Sequence, residues 1–80
     1  ALDSAKRALS IAQTLNDPRL ECEIVGNLGI VLHRTGNLSE AIKYYEQQLT
    51  LATLNQDLRN QWTALKNLIT THFIRKDFQQ

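Results

Sequence analysis

The sequence predicts an all-α fold, a stack of four antiparallel helices made from a helix-turn-helix unit that recurs every forty residues. Three observations carry this. Apolar residues recur at spacings of three and four along the chain, the period of one helix face. Glycine (3) and proline (1) are scarce among 80 residues, so few turns interrupt the helices. The chain also matches itself when shifted by forty: positions 1/41, 9/49, 12/52, 17/57, 19/59, 27/67 and 28/68 are identical, seven pairs where typical composition gives about two or three.

The elements follow in order. A first helix over about 1–15 carries the stripe Ala1, Ala5, Leu9 and Ala12. A second spans about 18–35. Asp17 stands where a side chain accepts from free N–H groups of the first turn, and Pro18 takes the first helical position, where no N–H is needed. Val25, Leu28, Gly29 and Leu32 share its inner face. Gly36 suits the left-handed residue after a helix. Asn37 and Glu40 have the spacing of a capping box and open a third helix over about 38–54, with the stripe Leu38, Ala41, Tyr45, Leu49 and Ala52. Asp57, forty residues after Asp17, opens a fourth over about 58–76, whose inner stripe is read as Leu65, Leu68, Ile69 and His72. Asp77 and Gln80 repeat the capping spacing, so a fifth helix is expected to begin there and the chain to be a piece of a longer array.

Composition excludes several functions. The formal charge is +1, too balanced for a nucleic-acid or membrane-surface binder. No apolar run approaches the roughly 20 residues of a membrane span, and a cytoplasmic protein is expected. The single cysteine, Cys22, permits no internal disulfide or paired-cysteine metal site. It reads as a small half-buried apolar residue. His33 and His72 lie on different faces. Ser4, Ser10 and Ser39 lack the context of a nucleophile, and no Gly-rich loop offers a phosphate cradle. No catalytic residue, metal or cofactor is expected.

Leu28-Gly29, Gly36, and Ala41 followed four residues later by Tyr45 resemble the tetratricopeptide repeat pattern. Val25 stands where that family has Trp, Leu32 where it has Tyr, and Thr53 where it closes with Pro. The forty-residue period resembles the longer-repeat subclass found in spindle-orientation adaptors and kinesin light chains. The resemblance implies a helical solenoid in which the four helices take the order B-A-B-A, A and B being the first and second helix of a repeat. Gly29 and Ala41 then allow close approach, with Tyr45 filling the space beside them. In the last helix Ile69 replaces the glycine and His72 the large apolar residue, so a following B helix would pack there at larger separation. Trp62 reads as packed between repeats or as an aromatic anchor for a partner. Tyr44 is placed on the outer face. Phe73 and Ile74 are either core under a further helix or an exposed patch.

The polar stripe of the second helix, Glu23, Asn27, Ile30 and Arg34, lies opposite its apolar face. Its forty-residue counterpart is Thr63, Asn67, Thr70 and Ile74, flanked by Lys66. In a solenoid this is the concave surface. An Asn amide donates and accepts and so suits a peptide backbone. Asn27, Arg34, Lys66, Asn67 and Thr70 are therefore the candidate peptide-binding residues, and the two cations favour an acidic or carboxylate-bearing ligand. The expected role is a non-enzymatic scaffold for a protein or extended peptide. The alternatives are a self-assembling repeat module, associating through unpaired terminal helices, and a regulatory segment of a larger signalling enzyme.

Overall fold

The structure, a computed structural model, describes residues 2–78 and consists of four helices: α1 (Leu2–Leu15), α2 (Pro18–Arg34), α3 (Leu38–Leu54) and α4 (Leu58–Phe78). Each helix packs on the next, α2 also touches α4, and α1 does not reach α3. The helices thus form two layers, α1 and α3 in one, α2 and α4 in the other. The Cα envelope is 13 Å in its thinnest direction, the thickness of two helix layers about 8–10 Å apart. No helix among the described residues is long and apolar enough to cross a membrane.

The three turns share one backbone solution. Asn16, Gly36 and Gln56 each have positive φ (57°, 86° and 55°). At each, two hydrogen bonds close the helix end: Asn16 N–H to Gln13 O and Asp17 N–H to Ala12 O, Gly36 N–H to His33 O and Asn37 N–H to Leu32 O, Gln56 N–H to Thr53 O and Asp57 N–H to Ala52 O. This is the Schellman arrangement. Sequence alone predicts it at Gly36; it also holds at two positions without glycine. The next helix begins at once. Asp17 Oδ1 accepts from Leu20 N–H at 3.2 Å, and Asp57 Oδ1 from Asn60 N–H at 3.2 Å. The capping box expected at Asn37 does not form: its side chain accepts no N–H from the first turn of α3, while its Nδ2 donates to Thr35 Oγ1 at 3.0 Å. Nor does a fifth helix begin at Asp77: α4 runs on through it to Phe78, while Gln80 lies outside the described residues.

The core lies where α2 meets α3. Leu32, Ala41 and Tyr45 are buried together, and Ile30, Tyr44 and Leu68 pack against them. Tyr44 is thus half-buried against this cluster rather than free on the outer face. The close approach is set by Gly29. A Cβ there would stand 2.5 Å from Tyr45 Cε1 and 2.7 Å from Cδ1, inside any van der Waals contact. Gly26 plays the same part for Gln48, whose amide nitrogen would stand 2.5 Å from its Cβ. Cys22, Val25 and Leu28 complete the buried face of α2.

The stripe read as the inner face of α4 is mostly exposed. Among the described residues of α4 the fully buried ones are Ala64 and Thr71, outside that stripe, with Leu68 packed against the core beside them. Leu65, Ile69 and Phe73 are exposed, Ile69 at 69% and Phe73 at 68%. Trp62 is 67% exposed and is not packed between repeats. The periodicity is that of a helix buried on two sides, but α4 packs on one side only.

Two stability measurements follow. Gly29→Ala forces the Tyr45 ring aside and costs about 1–3 kcal/mol, while Tyr45→Ala costs about 3–5 kcal/mol. Because the two side chains meet, the double variant in denaturant titrations loses less than the sum; additivity would refute the contact. Gln56→Gly removes a Cβ from a left-handed position and raises stability by about 0.5–1 kcal/mol, read as a higher melting midpoint.

Candidate ligand-binding groove

A groove of about 290 Å³ runs between α2 and α4. Glu23, Asn27 and Ile30 form its α2 wall and Arg59, Thr63 and Asn67 its α4 wall; Gly26, Gln48 and Asn60 close its base. The forty-residue repeat makes this geometry. Equivalent positions on two successive A-type helices face the same space, so Asn27, exposed, and Asn67, half-buried, open into one groove.

The other three candidate residues lie elsewhere. Arg34 lines a separate depression of about 590 Å³ at the α2–α3 turn, with His33, Gly36, Leu38, Ser39, Ile74 and Arg75. Lys66 and Thr70 are exposed on α4 and line neither space. The Thr70 hydroxyl donates to Lys66 O at 3.0 Å within the helix. The groove therefore unites the two asparagines, while Arg34 and Lys66 lie outside it and the charged residues that line it are Arg59 and Glu23.

The base of the groove is an amide chain that sequence reasoning missed. Asn60 donates through Nδ2 to Asp57 Oδ2 at 2.6 Å, which turns its Oδ1 toward Gln48 Nε2 at 3.2 Å. Gln48 is 3% exposed, and its Oε1 has no hydrogen-bond partner. Cys22 Sγ donates to the Gln48 carbonyl at 3.4 Å. Burial, assisted by the charges of Asp57, Glu23 and Glu21, pushes the Cys22 thiol up to about 11, so it is a neutral packing group at physiological pH. One signal was available: Gln48 interrupts the small and apolar face of α3 directly opposite a glycine. Farther along the two helices, His33 Nδ1 lies 3.1 Å from the hydroxyl of buried Thr71 and ties α2 to α4. Among the described residues no group of three His, Cys, Asp or Glu side chains is placed to hold a metal.

Antiparallel helix pairs in two layers, joined by identical turns, define a helical-repeat protein. Residues 25–59, from the middle of α2 to the start of α4, match the family model of the tetratricopeptide repeat. A designed protein, DA05, known from a solution NMR structure, has the same fold: TM-score 0.85, 22% identity, covering 89% of this chain and 71% of the designed one. No curated protein matches the sequence.

Asp57 gives the site a pH signature. Hydrogen bonds from the Asn60 side chain and backbone, helped by Arg19, hold its carboxyl below the usual carboxylate value. A depressed folded value means that its contribution is complete above the ordinary carboxylate pKa and is lost as pH falls through the folded one. Asp57→Asn should flatten the acid limb of stability against pH in thermal melts; an unchanged limb would show that the carboxylate is not held by these bonds.

Proposed function

We propose that this chain is a non-catalytic scaffold that holds an extended peptide or protein segment in the groove between α2 and α4. The carrying observation is that Asn27 and Asn67, identical under the forty-residue shift, face one groove. Neighbouring helices are about 8–10 Å apart and an extended chain advances about 3.3 Å per residue. The two amides thus suit backbone groups about three residues apart. Tetratricopeptide repeats serve as interaction modules, which supports the same reading. Arg34 and Arg75 at one end of the α2–α4 face, with Lys66 and Arg59 on α4, outnumber Glu23 of the α2 wall and favour an acidic ligand, whose affinity falls as salt rises. The free, buried thiol of Cys22 suits a cytoplasmic setting.

The test is selection of binders from a random peptide library on the immobilised chain, followed by calorimetric titration. The expected peptides are enriched in Asp and Glu. Asn27→Ala with Asn67→Ala weakens them about ten- to a hundredfold, each amide netting roughly 0.5–1.5 kcal/mol, without moving the melting temperature. Peptides bound equally well by the double variant would remove the groove from consideration.

A further inference from the structure

The open face of α4 is the face of α2 that holds α3, displaced by forty residues. Val25, Gly29 and Leu32 on α2 are buried; Leu65, Ile69 and His72 stand at the same places on α4 and are exposed. Conversely, the residues by which α3 sits on α2, Tyr45 and Gln48, correspond on α1 to Ala5 and Ala8, both half-buried. Two contacts fix the register of α2 against α3: Gly29 under the Tyr45 ring and Gly26 under the Gln48 amide. At both, the sizes invert after the shift. Ile69 and Lys66 replace the two glycines, and Ala5 and Ala8 replace the tyrosine and the glutamine. A bulky residue on α4 therefore finds an alanine on α1 at the same register, and the separation between the helices is kept.

We propose that α4 of one chain receives α1 of a second copy in the geometry by which α2 receives α3, so that chains associate head to tail. The same antiparallel register brings Ile11 and Leu15 of the incoming α1, both exposed, to the Leu58–Trp62 end of α4. It brings Asp3 to the His72–Arg75 end, placing a carboxylate beside positive charge. Leu58, Trp62, Leu65, Ile69 and Phe73, all exposed, together present roughly 500 Å² of apolar surface, a patch of the size that is often functional on a small protein. This is one partner's share and is below the roughly 800 Å² per partner of a standard interface, so the contact is expected to be weak and concentration-dependent. The contact is heterologous: a pair of chains still carries a free α1 and a free α4, so growth does not stop at two.

Sedimentation velocity of the 80-residue chain tests this over about 10 µM to about 1 mM, a range in which mass action governs association. The weight-average mass is expected to rise past that of two chains. Ala5→Tyr sets a ring against Ile69 of the neighbour and should raise the concentration needed for association at least tenfold. Adding Ile69→Gly to the same chain recreates the Gly29–Tyr45 pair across the interface and should restore association. Circular dichroism of dilute samples checks that each variant is folded. Should Ala5→Tyr fail to fold, Ile69→Glu at an exposed position carries the test and must leave monomers throughout. A constant mass of 9.1 kDa for the unaltered chain would overturn the proposal. So would a dimer that grows no further and survives Ala5→Tyr, the mark of α4 pairing with α4.

Discussion

The contact between the backbone of Gly29 and the ring of Tyr45 governs the arrangement of everything around it. Because no Cβ intervenes, α2 and α3 approach closely enough for Leu32, Ala41 and Tyr45 to exclude water together. Burial of an aromatic side chain of this size is among the larger single contributions a small core receives. The rest is placed relative to this pair. Tyr44 and Leu68 pack against the same cluster, Gln48 comes to lie over Gly26, and α4 docks with Asn67 across from Asn27. An 80-residue chain has little interior to spare, so one close helix pair carries a disproportionate share of the packing.

The base of the groove illustrates how polar groups survive in such a core. Gln48 is almost completely buried, yet its amide hydrogen is spoken for by Asn60, and Asn60 is oriented by Asp57. Each hydrogen bond fixes the acceptor for the next, so the orientation of the glutamine derives from a helix cap two steps away. The acceptor left over, Oε1, lies against Gly26, where a side chain would collide with it. The chain links the start of α4 to the middle of α3 and gives the groove a rigid base on which the two asparagines are held apart.

Much of this was legible in the residues because it is local. Asp17, Pro18 and Asp57 announce helix starts by chemistry that operates within one turn. Gly36 announces a left-handed residue, and Gly29 with Tyr45 forms a size-matched pair. Sequence reasoning failed where the outcome depends on what lies opposite. Trp62, Leu65 and Ile69 have the spacing of buried residues, but no described helix covers them. Asn37 has the chemistry of a capping residue, yet its side chain accepts no N–H of α3. The left-handed residues at Asn16 and Gln56 carry no glycine signal; counting twenty residues either way from Gly36 finds both. The two asparagines are brought together because they share a repeat position. Arg34 is not in the groove because it lies a full two helical turns beyond Asn27 along α2, and Thr70 lies beyond the α4 wall, which ends at Asn67.

The twenty-residue interval between left-handed turn residues makes this architecture intolerant of small changes in helix length. Both α2 and α3 contain 17 residues, and each successive residue rotates the helix by about 100° and advances it about 1.5 Å. A single residue inserted in α3 would swing everything beyond it by more than a quarter turn, carrying Asn67 out of line with Asn27 and Leu68 out of the core. Seven inserted residues, two turns with a drift of only about 20°, would nearly restore the phase. Variation in length within the helices is therefore quantised: insertions of about seven or eleven residues nearly keep the helical phase, and others disturb the groove.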